Sequence, residues 1–576
     1  MKELENMKES TKIKKSKGLK ETSWLENIIR PNIAGLTPYS TARDESNLKC
    51  GVYLDANESP YNSGYNRYPD PHSKELKRAA AESICKQLHR FLNHEVIEEP
   101  FMPKSENVFA GNGSDEAIDL LIRIFCTPGI DNIISLSPTY GMYRVCASIN
   151  DVAYRELSLN TDFSFDKERL LQMSDNCSKV IFLCSPNNPT GNLLKKDDLI
   201  WIIERFHGVV VVDEAYIDFA CDAGFIPLID NYPNLVVLRT MSKAKGMAAI
   251  RVGFAISSQK IIAYMERVKY PYNIGRVNQE LAVKALRESD PTLVETIIGE
   301  REMLAESLRK SPGVETVYPS DSNFLLVKFA DAKKVYKSLL SAGIVTRERG
   351  DVVGCSQTLR ITVGKPLENR ALLSVINGGS SNKIGDCIEL SRVTKETRVQ
   401  VRIYPQGGRD SDIRTGVGFF DHMLEQISVH SGISMDIDAA GDLNVDPHHT
   451  VEDVAIVLGE AFKRMISAKK GYNRYGFVLP MDESRAEVLL DLGGRYTFVW
   501  NVLFNGDRVG EFPCEMFRHF FSTLCASGMF TLHISAQGEN DHHKAEAIFK
   551  AFARALRIAL SNDVNAYQTP SSKGVI

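Results

Sequence analysis

Short apolar runs alternate with longer helical patterns through the first two thirds of the chain. Val209–Val212 and Leu235–Leu238 are continuous apolar runs, as in strands buried on both faces of a sheet. Lys74–Arg90 and Asn278–Glu288 instead repeat apolar residues at the spacing of one helix face. This alternation predicts a sheet covered by helices, an α/β fold, over residues 36–376.

The periodic pattern stops at a polar segment rich in glycine and serine. Residues 377–383 read Asn-Gly-Gly-Ser-Ser-Asn-Lys and show no periodicity of either kind. Such a composition is typical of a flexible connection. We therefore predict a linker at residues 377–387, with a separate domain at 388–576.

The part of the chain after this linker repeats itself. The segment Phe420-Asp421-His422 precedes the pair His448-His449, and Phe517-Arg518-His519 precedes the pair His542-His543. Each pair is followed by an apolar helical stretch. The repetition predicts an α+β domain built from two copies of one half-domain.

Composition narrows the class of protein. The 576 residues are too many for one core, and the net charge of -4 with 25% charged residues favours neither nucleic acid nor a membrane surface as partner. No apolar run approaches the roughly 18 residues of a membrane span. The 11 cysteines are scattered singly, which predicts reduced thiols in a cytoplasmic compartment. Residues 1–29, where lysines and glutamates mix, predict a polar tail and neither a signal nor a transit peptide.

Polar residues interrupt the apolar runs of the first part at the ends of predicted strands. The run at Val209–Val212 ends in Asp213-Glu214-Ala215-Tyr216. Upstream lies SPNNPTG at 185–191, and downstream lies TMSKAKG at 240–246, followed by Arg251. An aspartate at the end of a buried strand needs a cationic partner, because burying an unpaired carboxylate is costly.

Taken together, these segments resemble the pyridoxal-phosphate-dependent aminotransferases of fold type I, over about residues 30–376 with a large and a small subdomain. The resemblance implies that Lys243 forms the Schiff base and moves the proton, while Asp213 pairs with the pyridine nitrogen. It also implies which residues contact the ring face, the ring oxygen and the phosphate of the cofactor. These are Tyr140 on the ring face, Asn188 and Tyr216 at the ring oxygen, and Gly113, Ser114, Ser242 and Arg251 at the phosphate.

Within that group, four segments are similar to those of histidinol-phosphate aminotransferases. They are LDANESPYN (54–62), NRYPDP (66–71), VDEAYIDF (212–219) and LRITVGK (359–365). This likeness implies that Tyr68 reaches the cofactor of a neighbouring subunit, so that the protein is a dimer. It also implies that Arg347 and Arg360 bind the anionic end of the substrate. A different amine substrate, such as an aromatic amino acid, is the alternative for this domain.

The histidine pairs of the second part indicate metal ions. On a helix, His448 and His542 lie four residues before Glu452 and Glu546, on a shared face. Adjacent histidines diverge by about 100° around a helix, so two ions fit better than one. The full candidate ligand set is His422, His448, His449, Glu452, His519, His542, His543 and Glu546. Mixed imidazole and carboxylate ligands suit manganese, iron or zinc, and the lack of cysteine disfavours a closed structural zinc site.

Six motifs of the second part carry a further likeness. They are RVTKET (392–397), GFFDHML (418–424), GDLNVDPHHTVED (441–453), YNRYG (472–476), NDHHKAEAIFKA (540–551) and PSSKGVI (570–576). With them, about residues 388–576 resemble imidazoleglycerol-phosphate dehydratases. The resemblance implies two Mn²⁺ ions per site, held by the eight residues above, and active sites between subunits of a large octahedral shell. It implies Glu396 and Glu546 as acid and base, in an order that stays open. The implied substrate-binding residues are Gln426, Arg474, Arg495, Lys550, Ser571 and Lys573.

The two resemblances fit consecutive reactions on small molecules. A dehydratase would convert imidazoleglycerol phosphate to imidazole acetol phosphate, and an aminotransferase would convert that ketone, with glutamate, to histidinol phosphate. We therefore expect a bifunctional enzyme of histidine biosynthesis. The alternative for the second part is a metal-dependent assembly scaffold without catalysis, for which Glu396 would be dispensable.

Overall fold

The computed structural model describes residues 23–37, 52, 54–61, 63–92, 100–288, 291–378, 387–405, 407, 411–467, 473, 475–476, 479–481 and 483–561. The chain divides into two compact units. The first comprises residues 1–336 and 346–363, and the second comprises 337–345 and 364–576. Most of the predicted linker (379–386) and of the predicted tail (1–22) lies outside the described residues.

A seven-stranded sheet forms the centre of the first unit, in the order β1-β7-β6-β5-β4-β2-β3. Its strands are β1 Val108–Asn112, β2 Asn132–Ser137, β3 Ala153–Ser158, β4 Ser178–Cys184, β5 Val209–Asp213, β6 Leu235–Thr240 and β7 Val252–Ser257. Only β7 runs antiparallel to its neighbours. Both apolar runs predicted as buried strands, at 209–212 and 235–238, lie in this sheet.

Helices cover both faces of this sheet. They are α1 Ser23–Ile28, α2 Pro31–Ala34, α3 Lys74–Leu92, α4 Gly113–Phe125, α5 Met142–Ile149, α6 Lys167–Gln172, α7 Lys196–Arg205, α8 Gln259–Val268 and α9 Arg276–Arg287. The next helix, α10 Thr292–Arg309, lies beside the second sheet described below. Alternate residues of β5 enter different cores: Val210 and Val212 pack in one cluster, Val209 and Val211 in the other. This two-sided burial explains the continuous apolar runs.

Residues 23–29 differ from the expected polar tail. They include α1, and the side chains of Leu25 and Ile29 are buried in the same cluster as Phe125 of α4. The apolar residues of this short segment, which include Trp24, are too few to show a helical period, so composition alone suggested a tail.

A second, antiparallel sheet completes the first unit in the order β10-β11-β9-β8. Its strands are β8 Val314–Val317, β9 Phe324–Phe329, β10 Arg347–Glu348 and β11 Thr358–Thr362. Helix α10 packs on β8. Two further helices follow, α11 Ala332–Ser341, which belongs partly to each unit, and α12 Pro366–Ile376.

The second unit is duplicated, as the repeated histidine motifs predict. One sheet has the order β12-β13-β15-β14, and the other has the order β16-β18-β22-β19 with β17 beside β18. The strands are β12 Ile388–Val393, β13 Thr397–Tyr404, β14 Asp412–Arg414, β15 Ser434–Gly441, β16 Tyr475–Gly476, β17 Leu479–Met481, β18 Ser484–Asp491, β19 Thr497–Val502 and β22 Thr531–Gln537. Two more strands, β20 Arg508–Val509 and β21 Phe512–Pro513, pair with each other in a separate two-stranded sheet. In the first copy, β15 pairs antiparallel with β13 and parallel with the shorter β14. In the second copy, β22 pairs in the same way with β18 and the shorter β19.

Each copy also contributes two helices. They are α13 Gly418–Ser431 and α14 His448–Ser467 in the first copy, and α15 Glu515–Gly528 and α16 Asp541–Leu560 in the second. Helix α14 packs against α15 of the other copy, and α13 packs against α16. The first contact is close: a Cβ on Gly459 would lie 2.6 Å from the carbonyl oxygen of Leu524. The two copies therefore share one hydrophobic core. Within the described residues, no helix combines the length and apolar character needed to cross a membrane.

Candidate active sites

One pocket of the first unit brings together nine of the ten predicted cofactor-binding residues. Its lining includes Gly113, Ser114, Tyr140, Asn188, Asp213, Tyr216, Ser242, Lys243 and Arg251. Most of them follow the carboxyl ends of β2, β4, β5 and β6, where the polar segments leave neighbouring parallel strands at one edge of the sheet. The tenth, Tyr68, lies outside this pocket, 51% exposed and stacked on Tyr272 at 4.6 Å between ring centres.

Asp213 is the buried acid of this pocket. Its Oδ2 accepts a hydrogen bond from the Tyr143 hydroxyl at 2.7 Å, and its Oδ1 accepts one from the Ala215 N–H at 3.1 Å. Burial nevertheless raises the pKa of Asp213 to about 6. A cationic ligand group such as a protonated pyridine nitrogen would offset that cost. Tyr143, which stacks on Phe182 at 4.9 Å, was missed by the sequence analysis.

Lys243 provides the amine. Its Nζ lies 5.3 Å from the centre of the Tyr216 ring. The side chain is reached by solvent through the pocket, yet desolvation by the surrounding protein, followed by the charges of Arg360 and Arg251, lowers the pKa of Lys243. A lowered pKa increases the neutral fraction, which is the form that attacks a carbonyl carbon. Burial raises the pKa of Tyr216, so its hydroxyl keeps its proton and can donate it in a hydrogen bond.

The start of α4 forms the anion-binding end of the pocket. Gly113 has φ +72°, and a Cβ there would lie 2.8 Å from Nη2 of Arg251. The Gly113 N–H donates to the Arg251 carbonyl oxygen at 2.9 Å, so it is the N–H groups after Gly113 at this helix start that favour a phosphate. Asp115, which the sequence analysis did not single out, accepts from the Tyr140 hydroxyl at 2.9 Å and pairs with Arg251 at 3.1 Å. It holds both side chains at the pocket edge.

Three arginines mark the substrate end. Arg360 donates to Oδ1 of Asn188 at 2.5 Å, and burial lowers its pKa. Arg347, which is exposed, lies directly opposite Arg360 in the β10–β11 pair. Arg349 was missed by the sequence analysis: it lies two residues beyond Arg347, its Nε is buried without a hydrogen-bond partner, and the charges of Arg360 and Arg347 help burial to lower its pKa. These like charges favour an anionic ligand.

In the second unit, three predicted metal ligands converge. One ligand atom from each of His448, Glu452 and His519 lies within 4.8 Å of the others. His448 and Glu452 lie on α14 of the first copy, and His519 lies on α15 of the second copy. The packing of α14 against α15 therefore creates this group. Nε2 of His519 is buried without a hydrogen-bond partner and lies 3.7 Å from Oε1 of Glu452. Burial and the His448 charge lower the pKa of His519, which keeps the imidazole neutral, as a metal ligand must be.

The equivalent residues of the other copy are arranged differently. Nε2 of His542 lies 3.8 Å from Oε2 of Glu546, while Oε1 of Glu546 pairs with Nζ of Lys550 at 2.8 Å. Nδ1 of His422 lies 3.8 Å from Glu425 on its own helix. Among the residues that the structure describes, only the first set gathers into a three-ligand group.

The second histidine of each pair points elsewhere. The rings of His448 and His449 meet at 84°, and those of His542 and His543 at 86°. Nδ1 of His449 lies 3.1 Å from Oδ2 of Asp442, whose hydrogen bond raises the pKa of His449. Nδ1 of His543 lies 3.0 Å from Oε2 of Glu483, and this contact lowers the pKa of Glu483 to about 2. Neither Asp442 nor Glu483 was singled out from the sequence.

The remaining predicted residues of this unit are placed as follows. Glu396 is exposed, with Oε2 at 3.9 Å from Nδ1 of His449. Gln426 is half-buried on α13, and Arg495 is exposed just before β19. Arg474, Ser571 and Lys573 lie outside the described residues.

The buried acid, the lysine and the helix start at one edge of the sheet define a pyridoxal-phosphate-dependent transferase of fold type I. The family model "Aminotransferase class I and II" matches residues 42–376, and the chain belongs to that family. It is 45% identical over 355 residues to histidinol-phosphate aminotransferase of Parabacteroides distasonis, covering 61% of this chain and 98% of the relative. The corresponding enzyme of Cytophaga hutchinsonii is 46% identical over 358 residues, with the same coverage.

The C-terminal part matches a second family. The model "Imidazoleglycerol-phosphate dehydratase" matches residues 415–556. The solved imidazoleglycerol-phosphate dehydratase of Staphylococcus aureus subsp. aureus N315 is 39% identical, covering 31% of this chain and 99% of that chain, with a TM-score of 0.29. The chain is therefore a fusion of an aminotransferase and a dehydratase domain of histidine biosynthesis.

Proposed function

We propose that the two domains catalyse consecutive steps through the residues described above. The dehydratase domain removes water from imidazoleglycerol phosphate, and the aminotransferase domain converts the resulting imidazole acetol phosphate, with glutamate, to histidinol phosphate and 2-oxoglutarate. The observation that supports this most directly is the gathering of Lys243, Asp213 and their partners in one pocket, in a chain whose relatives are histidinol-phosphate aminotransferases.

In the aminotransferase, bound pyridoxal phosphate supplies an electron sink for the substrate carbon that loses its proton. Lys243 carries the amine that holds the cofactor and then moves this proton at its Nζ. Asp213 holds a proton on the pyridine nitrogen, and Tyr143 fixes the orientation of Asp213. Asn188 and Tyr216 donate to the ring oxygen, and the arginines at the substrate end hold the anionic group of either substrate in turn.

In the dehydratase, we assign two Mn²⁺ ions to the histidine and glutamate set. The donors are nitrogen and oxygen without sulfur, and the buried, unpartnered Nε2 of His519 fits a cation that is bound there. Ions held by these residues would supply positive charge that stabilises an anionic substrate imidazole. Glu396 and Glu546 share the acid and base roles at the carbon and the leaving hydroxyl, and Gln426, Arg495 and Lys550, with Arg474, Ser571 and Lys573, bind the substrate.

Mass spectrometry tests the paired activities. The full-length protein is given imidazoleglycerol phosphate, Mn²⁺ and pyridoxal phosphate, with and without glutamate. Histidinol phosphate should form only with glutamate, and the ketone should accumulate without it. In a separate comparison of amino donors, a protein that uses phenylalanine better than histidinol phosphate would be an aromatic aminotransferase instead. A Glu396→Gln protein that still assembles but no longer dehydrates the substrate would rule out the scaffold alternative.

Replacement of Asp213 by asparagine should stabilise the cofactor-free protein at neutral pH. The folded pKa of about 6 lies above the ordinary value of 3.8, so the folded state binds this proton more tightly than the unfolded chain. In the wild type, the stabilisation from this bound proton is complete below pH 3.8 and is lost as pH rises through 6. At pH 7 the wild type therefore carries the cost of a buried carboxylate, which the neutral asparagine avoids. The shift of about two units corresponds to about 3 kcal/mol. Hydrogen exchange of the β5 amides should therefore slow in the variant at pH 7 and match wild type at pH 4.

Cofactor binding should respond in the opposite direction. The Asp213→Asn protein should bind pyridoxal phosphate more weakly, because its amide cannot neutralise a pyridinium charge. Faster exchange of the β5 amides in the variant at pH 7, without cofactor, would contradict the proposed cost of burying this carboxylate.

Arg349 should discriminate between the two substrates. A phosphate carries more charge than the carboxylate of glutamate, so a third guanidinium beside Arg360 and Arg347 should favour the phosphate ester. We expect Arg349→Gln to raise KM for histidinol phosphate about 10-fold, as for loss of one hydrogen bond to a charged group. KM for glutamate should rise less. The exposed Arg309→Gln protein is the control, and equal effects on both substrates would argue against this role.

Three further proposals accompany the function. The domains extend over residues 30–376 and 388–576, with an aminotransferase dimer in which Tyr68 reaches the neighbouring cofactor and a larger shell of dehydratase domains. The cytoplasm is the proposed location, which is supported by the ten described cysteines, all free thiols. Light scattering before and after removal of Mn²⁺ would test the assembly, since a metal held between subunits should stabilise it.

A further inference from the structure

Two glutamates occupy equivalent places in the duplicated half-domains. Glu396 immediately precedes β13 and Glu483 immediately precedes β18, and both strands begin with a buried residue followed by an exposed one. Each glutamate also lies beside Nδ1 of the second histidine of its own pair. Oε2 of Glu396 is 3.9 Å from His449, whereas Oε2 of Glu483 is 3.0 Å from His543.

The difference between these distances is chemically decisive. At 3.0 Å, Glu483 and His543 are within hydrogen-bond distance, whereas at 3.9 Å Glu396 and His449 are not. In the first half-domain another carboxylate takes this place: Asp442, directly after β15, lies 3.1 Å from Nδ1 of His449 through Oδ2. Each half-domain therefore holds its histidine through a carboxylate, but from a different position in the chain.

The backbone at both helix starts is held in a matching way. Oδ1 of Asp446 accepts the His448 N–H at 2.8 Å, and Oδ1 of Asn540 accepts the His542 N–H at 2.9 Å. Glu483 additionally accepts the N–H of Asn540 at 3.3 Å. Glu483 thus contacts the residue that caps α16 as well as the imidazole near its start.

We propose that Glu483 and Asp442 are positioning residues for the metal site. Each accepts a hydrogen bond from Nδ1–H of its histidine and leaves the Nε2 lone pair for a metal ion, an arrangement that metal-ligating histidines commonly show. Because Asp442 holds His449, Glu396 remains available to touch the substrate, while its equivalent Glu483 does not. This inference rests on the proposed two-metal dehydratase.

Metal binding by the full-length protein provides the test. We expect Glu483→Ala and Asp442→Ala each to bind Mn²⁺ about 10- to 100-fold more weakly, as is typical when a partner of a ligand is lost. At saturating Mn²⁺ both variants should recover two ions per chain and most of their turnover. Glu483→Gln and Asp442→Asn should bind Mn²⁺ with intermediate affinity, because an amide oxygen still accepts from Nδ1–H. Glu396→Gln should keep wild-type affinity and lose turnover.

The matched controls are Glu487→Ala on β18 and Asp438→Ala on β15. Both remove an exposed carboxylate from the strand next to Glu483 or Asp442. Wild-type Mn²⁺ affinity in Glu483→Ala and Asp442→Ala would overturn the proposal. So would permanent loss of one ion from Glu483→Ala, since Glu483 would then be a ligand, or turnover that stays lost at saturating Mn²⁺. A wild-type protein that bound no Mn²⁺ would instead contradict the proposed function itself.

Discussion

Replacing Lys243 by alanine should abolish transamination while the dehydratase in the same chain continues to work. Lys243 is the amine of the pocket, and its lowered pKa, caused by desolvation and by Arg360 and Arg251, suits it to hold the cofactor and to move a proton. We expect kcat for histidinol phosphate to fall at least about 10²- to 10⁴-fold, the range expected for loss of a positioned acid–base group alone. The visible absorbance of the lysine-bound cofactor should also disappear.

The fusion supplies an internal control for this variant. Unchanged production of the ketone from imidazoleglycerol phosphate shows that the chain is folded and active elsewhere. The exposed Lys310→Ala protein controls for removal of a lysine from the same unit. Partial recovery of transamination by added small amines would support a role in proton transfer. Undiminished turnover by Lys243→Ala would assign the amine to another lysine.

Replacing His519 by alanine should have the converse effect. It removes the buried Nε2 that lies 3.7 Å from Glu452, at the place where α14 and α15 bring three ligands together. We expect dehydration to fall about 10³-fold, which corresponds to about 4 kcal/mol of lost stabilisation of the transition state. Transamination of added imidazole acetol phosphate should be unchanged.

Metal content distinguishes this role from a structural one. The His519→Ala protein should bind fewer Mn²⁺ ions per chain, whereas His533→Ala, which removes a histidine of β22 outside the predicted ligand set, should bind as many as wild type. A His519→Ala protein that retained all its Mn²⁺ yet dehydrated slowly would show that His519 acts on the substrate and not on the metal.

The sequence predicted those parts of both sites that are adjacent in the chain. Continuous apolar runs predicted the buried strands, and the polar segment after one of them contains Asp213. The spacing of His448 and Glu452 placed both on one helix face, and the perpendicular rings of each histidine pair agree with the predicted divergence.

The residues that were missed depend on contacts between distant segments. Tyr143 reaches Asp213 from 70 positions away, and Glu483 reaches His543 from 60 positions away. Arg349 stands near Arg360 because β10 pairs with β11, a pairing that a two-residue strand cannot reveal in sequence. Glu546 pairs with Lys550, four residues later on the same helix, and is not gathered with His422. This i,i+4 pair could have been read from the spacing, but the sequence analysis did not weigh it against metal binding.

In the second unit, α14 of one copy packs against α15 of the other, so the three-ligand metal group is formed by both copies together. His448 and Glu452 come from the first copy and His519 from the second, so neither half alone contains that group. A single-copy ancestor would have had to associate with a second molecule of itself to bring these ligands together. Duplication within one chain would place that contact inside the chain, where equivalent positions such as Glu396 and Glu483 can differ.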